Sequence, residues 1–259
     1  MEISFSKYQG AGNDFIMLNN LDGRYDRLDE QTVRFLCDRK FGIGADGLIR
    51  LNSHPVLSFE MDFFNPDASK SFCGNGARCT VKYAEQLGFD ISNIQFEAID
   101  GVHFASKKGG LIALEMSEVK GFEKIGEDFI FQTGSPHYIH FDRSGEQLDV
   151  LEFGRSIRYS DEYKLEGINV NLVEIKKSNN LTVRTYERGV ENETLSCGTG
   201  VTACALAASL VQNSQGAQKF TIETKGGQLF VDFLRDDSSF SEIILTGPAV
   251  FVFNGVINV

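Results

Sequence analysis

At 259 residues the chain can fold as one large domain or two of ordinary size, and either buries a substantial core. Its formal net charge of -11 argues against a nucleic-acid surface, which needs clustered Lys and Arg. No window approaches the apolar length of a membrane span, and the opening Met1-Glu2-Ile3-Ser4-Phe5-Ser6-Lys7 lacks the basic-then-apolar pattern of a signal peptide. The five cysteines are odd in number and lack the spacing of a secreted disulfide framework, so a reducing, cytoplasmic setting is expected.

Ile3, Phe5 and Lys7 alternate as a strand, which turns at Gly10-Ala11-Gly12-Asn13-Asp14 and resumes as Phe15-Ile16-Met17-Leu18. Asn13 is a candidate contact, although a polar turn in an apolar hairpin is commonly only a turn. Residues 28–40 read as an amphipathic helix ending at Phe41-Gly42-Ile43-Gly44-Ala45-Asp46-Gly47. That glycine loop has neither the lysine of a phosphate-binding loop nor the spacing of a dinucleotide turn. Strands are expected over 47–51 and 56–64, the second stopped by Asn65-Pro66-Asp67. Next comes Cys73-Gly74-Asn75-Gly76-Ala77-Arg78-Cys79, which runs into a helix continuing to Leu87, and then three short strands near 94–99, 102–107 and 111–116.

The second half repeats this vocabulary. Strands at 128–132 and 138–141 flank Thr133-Gly134-Ser135-Pro136-His137, and residues 146–157 read as a helix. Strands follow at 168–176 and 181–187, and then Cys197-Gly198-Thr199-Gly200 opens an Ala-rich helix to Val211. About two dozen residues after each Cys-Gly-x-Gly turn stands a similar hairpin, Phe96 to Ala105 in one half and Ile222 to Val231 in the other. Two features in the same order at the same spacing indicate two homologous α/β halves, 1–116 and 117–247. The strand-like segment 243–259 closes the chain, with 248–259 returning to the first half.

A cysteine at a helix start meets unpaired backbone N–H groups and the positive end of the helix dipole, and both favour a thiolate. The glycines behind it let N–H groups approach an anion such as a substrate carboxylate. Two such turns holding one α-carbon between them would let one thiolate remove a proton while the other thiol supplies one, inverting the centre. Taken singly, a cysteine is more often a packing residue, which is the role expected of Cys37, Cys79 and Cys204. A zinc site lacks a Cys-x-x-Cys pair and a neighbouring His, so no metal is expected.

Seven segments taken together make the chain resemble the diaminopimelate epimerase family. They are Gly10 to Phe15, Gly42 to Gly47, Phe64 to Asp67, Cys73 to Cys79, Gly134 to His137, Tyr186-Glu187-Arg188-Gly189, and Cys197 to Gly200. The resemblance implies an isomerase that needs no cofactor, with Cys73 and Cys197 as the acid/base pair. It implies substrate contacts from Asn13, Asn65, Gly74, Asn75, Ser135, Asn169, Glu187, Arg188, Gly198 and Thr199, with His137 and Glu187 tuning the thiols. The implied fold is α/β of the α+β type: two halves, each a mostly antiparallel sheet or barrel around a central helix, with the active site in the cleft between them. The implied partners are a small amino-acid substrate and a second copy in a homodimer, not nucleic acid or membrane. Ser135 stands where the family usually has Asn, and Ala68-Ser69-Lys70 where Gly-Ser-Glu is usual. Residues 190–192 lie in a loop one residue longer than usual. Two rival readings remain at this stage: a proline- or hydroxyproline-type racemase, and a non-enzymatic binding or redox protein using the same thiols.

Overall fold

The computed structural model describes residues 1–142 and 148–259. The chain divides into two compact units, Met1–Leu114 with Gly247–Val259, and Glu115–Thr246.

In the first unit β1 (Glu2–Gly10) and β2 (Asn13–Asn20) form a hairpin. Its two turn residues, Ala11 and Gly12, have φ of 54° and 85°, a pairing that matches the twist of the strands it joins. The helix expected over 28–40 is shorter, α1 (Glu30–Cys37). Asp29 caps its start by accepting from Thr32 N–H at 2.8 Å, and the Asp38 carboxylate draws the N–H groups of Lys40 and Phe41 out of the helix. After β3 (Gly47–Asn52), β4 (Phe59–Phe64) begins three residues later than the apolar pattern suggests. The His54 ring Nδ1 accepts from Val56 and Leu57 N–H and holds them in a turn. Then follow α2 (Gly74–Gln86), β5 (Ile94–Ala98), β6 (Gly101–Lys108) and β7 (Leu111–Glu115). The pairings β1–β2, β3–β4, β5–β6 and β6–β7 are antiparallel, while β2–β3 and β4–β5 are parallel. α2 packs against β1 to β4, and Val33, Leu36 and Cys37 of α1 close a core with Ile16, Leu18 and Leu48.

The second unit opens with the short strands β8 (Val119–Lys120) and β9 (Glu123–Ile125), too brief to show as periodicity. It continues through β10 (Asp128–Gln132), β11 (Pro136–Phe141) and α3 (Val150–Arg158). The helix expected from 146 thus starts at Val150 behind an Asp149 cap, and residues 146 and 147 lie outside the described residues. Next come β12 (Asn169–Lys177), β13 (Asn180–Glu187), β14 (Asn192–Thr194), α4 (Gly198–Val211), β15 (Gly216–Thr224), β16 (Gly227–Asp236) and β17 (Ser239–Gly247). The series β10, β11, β12, β13, β15, β16, β17 pairs in the same order and the same senses as β1 to β7. Fold duplication is therefore written in the hydrogen bonding as well as in the sequence. α4 is apolar all round and buried from Gly198 to Ser209, except for the half-buried Thr199, as a helix enclosed by strands must be. It packs against β10 to β13, β15 and β16.

The strand-like closing segment divides into two strands. β17 ends at Gly247, Pro248 interrupts the ladder, and β18 (Val250–Asn258) pairs antiparallel with β1, Glu2 opposite Asn258. No helix among the described residues is long and apolar enough to cross a membrane.

Candidate active site

In the first unit Cys73 is the N-cap of α2, and its sulfur accepts from Gly76 N–H at 3.5 Å. Cys73 Sγ also lies 3.7 Å from Asn13 Oδ1, which accepts from Asn75 Nδ2 at 3.3 Å. Asn13 is thus more than a turn residue. Its own amide nitrogen donates to Asp46 at 2.7 Å, which turns its oxygen toward the cysteine. Asp46 is held in turn by Arg39 at 2.7 Å, and Arg39 also binds Asp14 at 2.6 Å. Lys7, buried, pairs with Asp14 at 2.7 Å and donates to the Gly44 carbonyl. Burial pushes the Asp14 carboxyl up, but hydrogen bonds and charge from Arg39 and Lys7 outweigh it and hold the group down at about 2. The glycine loop at 42–47 therefore anchors the hairpin that carries Asn13.

Behind Cys73 lies Arg78, fully buried. It donates to Asn75 Oδ1 at 2.8 Å and to the Gly74 carbonyl at 3.5 Å, and its Nε has no hydrogen-bond partner. Asn65 spends its amide on its own loop, donating to Ser69 O, Ser69 Oγ and Ser71 Oγ at 3.0–3.2 Å. The altered residues of that loop have structural consequences. Ala68 sits at φ 68°, where a glycine carries no steric cost, and Lys70 pairs with Asp62 at 2.6 Å.

In the second unit Cys197 occupies the N-cap of α4 and is 9% exposed. Its sulfur lies 3.4 Å from Thr199 Oγ1, and that hydroxyl lies 2.9 Å from His137 Nε2. His137 is fully buried, and burial, aided by the Arg188 charge, drives it down to about 3, so the ring is neutral. Its Nδ1 accepts from Asn171 Nδ2 at 3.2 Å. Thr133 donates from its hydroxyl to the Thr199 carbonyl at 2.9 Å, tying the Gly134-Ser135-Pro136 turn to the helix start; Ser135 itself is half-buried in that turn. Asn169, at the head of β12, donates to Pro136 O at 3.3 Å and accepts from Arg188 N–H at 2.9 Å. The Arg188 guanidinium donates to the Glu166 carbonyl at 2.9 Å, and Glu187 ends β13 beside it.

Each unit therefore gathers its own share of the expected residues. Asn13, Gly74 and Asn75 assemble around Cys73, with Asn65 engaged in the neighbouring loop. Gly198, Thr199 and His137 assemble around Cys197, with Asn169 joined to Arg188. Cys37, Cys79 and Cys204 are buried, and burial raises all three thiols, Cys37 to about 11, as suits packing residues. None of the five cysteines is in a disulfide, and no cluster of potential metal ligands occurs among the described residues.

Sequence reasoning overlooked the Lys7–Asp14–Arg39–Asp46 lattice, the burial of Arg78, and Asn171. For Asn171 a signal existed: Asn169 and Asn171 alternate with Val170 and Leu172, so two amides share one face of an otherwise apolar strand.

A family model described as diaminopimelate epimerase matches residues 5–119 and 129–252. A diaminopimelate epimerase of Flavobacterium psychrophilum is 43% identical over 254 residues, covering 97% of this chain and 98% of its own. One of Aquifex aeolicus is 35% identical, covering 98% and 97%. Among solved structures, a phenazine biosynthesis protein of the PhzF family from Bacillus anthracis superposes with a TM-score of 0.77 at 14% identity, covering 100% of both chains, a likeness of fold alone. With 35–43% identity to such relatives over nearly the whole of both chains, and both Cys-Gly-x-Gly turns built as helix starts, the chain belongs to the diaminopimelate epimerase family.

Proposed function

We propose that the protein is an amino-acid epimerase that converts LL-diaminopimelate to the meso form, with Cys73 and Cys197 as its two proton-transfer groups. The observation that carries this reading is the pair of thiols, each at the N-cap of a buried helix and each followed by the glycines of a Cys-Gly-x-Gly turn. In one direction the thiolate of one cysteine takes the α-proton. The electron pair left on the α-carbon is delocalised into the carboxylate, and the thiol of the other cysteine delivers its proton to the opposite face. The product leaves with its centre inverted, and the two sulfurs have exchanged protonation states.

Neither thiol removes such a weakly acidic proton unaided. In this reading the N–H groups of the two helix starts, Gly74 and Asn75 in one and Gly198 and Thr199 in the other, stabilise the charge that develops on the carboxylate. Preorganised donors of this kind contribute roughly 3–4 kcal/mol each to a transition state. Asn13, Asn65, Ser135, Asn169, Glu187 and Arg188 are assigned to the substrate, with Asn169 and Arg188 suited to the amine and carboxylate of the centre that does not react. His137 and Glu187 are assigned to tuning the thiols. No cofactor or metal is invoked, since both protons are handled by the chain itself. A cytoplasmic setting, in which the thiols stay reduced, belongs to the same reading.

The test is incubation of reduced protein with LL-diaminopimelate in heavy water, alongside proline and hydroxyproline. Deuterium entering one α-carbon of diaminopimelate, abolished by Cys73→Ala and by Cys197→Ala, is expected. No exchange, exchange of proline in its place, or full activity in either single variant would sink the proposal. A homodimer is part of the proposal too. It is supported by β18, an unusually apolar surface strand exposing Val250, Phe251, Val252, Phe253 and Val256. Sedimentation at monomer mass throughout the micromolar range would remove it.

A further inference from the structure

The hydrogen bonds around Cys197 are directional, and their directions are fixed from the far end. Asn171 is fully buried. Its amide nitrogen faces the Tyr138 carbonyl at 3.0 Å, a group that can only accept, and its oxygen faces the Thr185 hydroxyl at 2.9 Å. Reversing the amide would set two carbonyl oxygens against each other in the interior, so the orientation has one solution. The second hydrogen on Nδ2 then points at His137 Nδ1, 3.2 Å away.

A neutral imidazole carries one N–H. With Nδ1 accepting, that hydrogen resides on Nε2 and is directed at Thr199 Oγ1, 2.9 Å away. The Thr199 hydroxyl receives this bond through a lone pair, which leaves its single hydrogen for Cys197 Sγ at 3.4 Å. The opposite tautomer would take the hydroxyl hydrogen for Nε2 and present oxygen lone pairs to the sulfur. We propose that Asn171 is a positioning residue for the second thiol: by donating to His137 Nδ1 it selects the Nε2–H tautomer, which makes the Thr199 hydroxyl a donor to the Cys197 thiolate.

Space around the relay is arranged for it. A Cβ on Gly200 would stand 2.7 Å from Asn171 Oδ1 and 3.3 Å from His137 Cε1, so only glycine in the first turn of α4 leaves both side chains in place. The ionisable groups around the relay include Arg188 and Cys204. Arg188 reinforces burial in keeping His137 neutral, and Cys204, two helical turns beyond Cys197, has a thiol that burial raises well above its ordinary value. Neither competes for the Thr199 hydroxyl. In the first unit Asn75, the counterpart of Thr199, donates to Asn13.

The inference rests on the two-thiol reading, and its test does not depend on turnover. Nitrogen-15 spectra of the labelled protein should show His137 bare at Nδ1 and protonated at Nε2, a signature lost in Asn171→Leu. In parallel, alkylation of Cys197 by iodoacetamide is followed by peptide mass spectrometry across pH in wild type, Asn171→Leu, Thr199→Val and the double variant. Loss of one hydrogen bond to a charged sulfur should slow alkylation near neutral pH about tenfold in each single variant, with the pH midpoint displaced upward. The double variant should be no slower than Thr199→Val. A wild-type His137 protonated at Nδ1 would overturn the inference, and so would an Asn171→Leu effect that persists undiminished in the Thr199→Val background. If Asn171→Leu does not fold, the wild-type nitrogen spectrum decides alone.

Discussion

Gly76 and Gly200 occupy the same place in the two Cys-Gly-x-Gly turns, and the structure separates them. An alanine Cβ at 76 would meet the tip of Ile49 at 3.0 Å and of Met61 at 3.4 Å, both ends of flexible side chains that can yield. An alanine Cβ at 200 would meet Asn171 Oδ1 at 2.7 Å, and Asn171 is locked by bonds to Thr185, Tyr138 and His137. Overpacking a rigid interior costs about 1–3 kcal/mol, and a displaced buried hydrogen bond adds about 1 kcal/mol. Replacing a helical glycine by alanine returns about 0.5–1 kcal/mol. Gly76→Ala should therefore stay within about 1 kcal/mol of wild type, and Gly200→Ala should lose about 2 kcal/mol. For a chain of this size that loss lowers the melting temperature by roughly 4–8 °C. Urea titration and thermal melts of the two variants side by side provide the measurement. A Gly200→Ala protein as stable as Gly76→Ala would show that Asn171 can move freely, and the rigidity argued for its site would fail.

Two further expectations concern charge. His137 is neutral in the fold with its affinity for protons depressed from 6.5 to about 3, so between those values the unfolded chain binds one more proton than the folded one. Stability must therefore fall as pH drops from 6.5 toward about 3, and His137→Gln should flatten that part of a urea-derived stability profile; parallel profiles would refute it. Asp14 acts with the same sign in a lower window: its contribution is present above the ordinary 3.8 and lost as pH falls toward about 2. Lys7→Met removes the buried partner at 2.7 Å while Arg39 remains, so a loss of about 1.5–3 kcal/mol at neutral pH is expected from urea midpoints, and no loss would contradict the lattice.

What could be read in the sequence was what is encoded locally. The Cys-Gly-x-Gly turns, the hairpins after them and the Ala-rich helix declare themselves within a dozen residues, through glycine placement and periodicity. The early start assigned to β4 failed because His54 captures two N–H groups that an apolar pattern cannot reveal. The closing segment was legible as strand but not as two separate strands. β18 takes its partner from the opposite end of the chain, and only Pro248 marked the break. The candidate site was marked in the sequence by its thiols and by the residues that the family motif names. The groups that aim those residues were not, because Asn13 is oriented by Asp46, and His137 by Asn171, across 33 and 34 positions. Arg78 stood in plain view inside a motif, yet nothing in one sequence says that a charged side chain will be sealed from water.

Duplication gave the two thiols the same backbone, and what surrounds them shows that they have not kept the same chemistry. Five residues after Cys73 stands Arg78, a fully buried cation whose charge acts on that sulfur; five after Cys197 stands Thr202, whose hydroxyl donates only to the Gly198 carbonyl at 3.0 Å. Cys73 accepts a bond from its own helix at Gly76 N–H, whereas Cys197 has no such cap bond and meets the Thr199 hydroxyl. A fixed charge in a low-dielectric interior acts at a distance and does not depend on orientation, while a hydroxyl acts only when its hydrogen is aimed. The first half can therefore support a thiolate without a relay. The second, lacking a buried cation at the matching position, needs a defined tautomer behind its hydroxyl, and this is why Asn171, His137 and Thr199 form a directed chain behind Cys197.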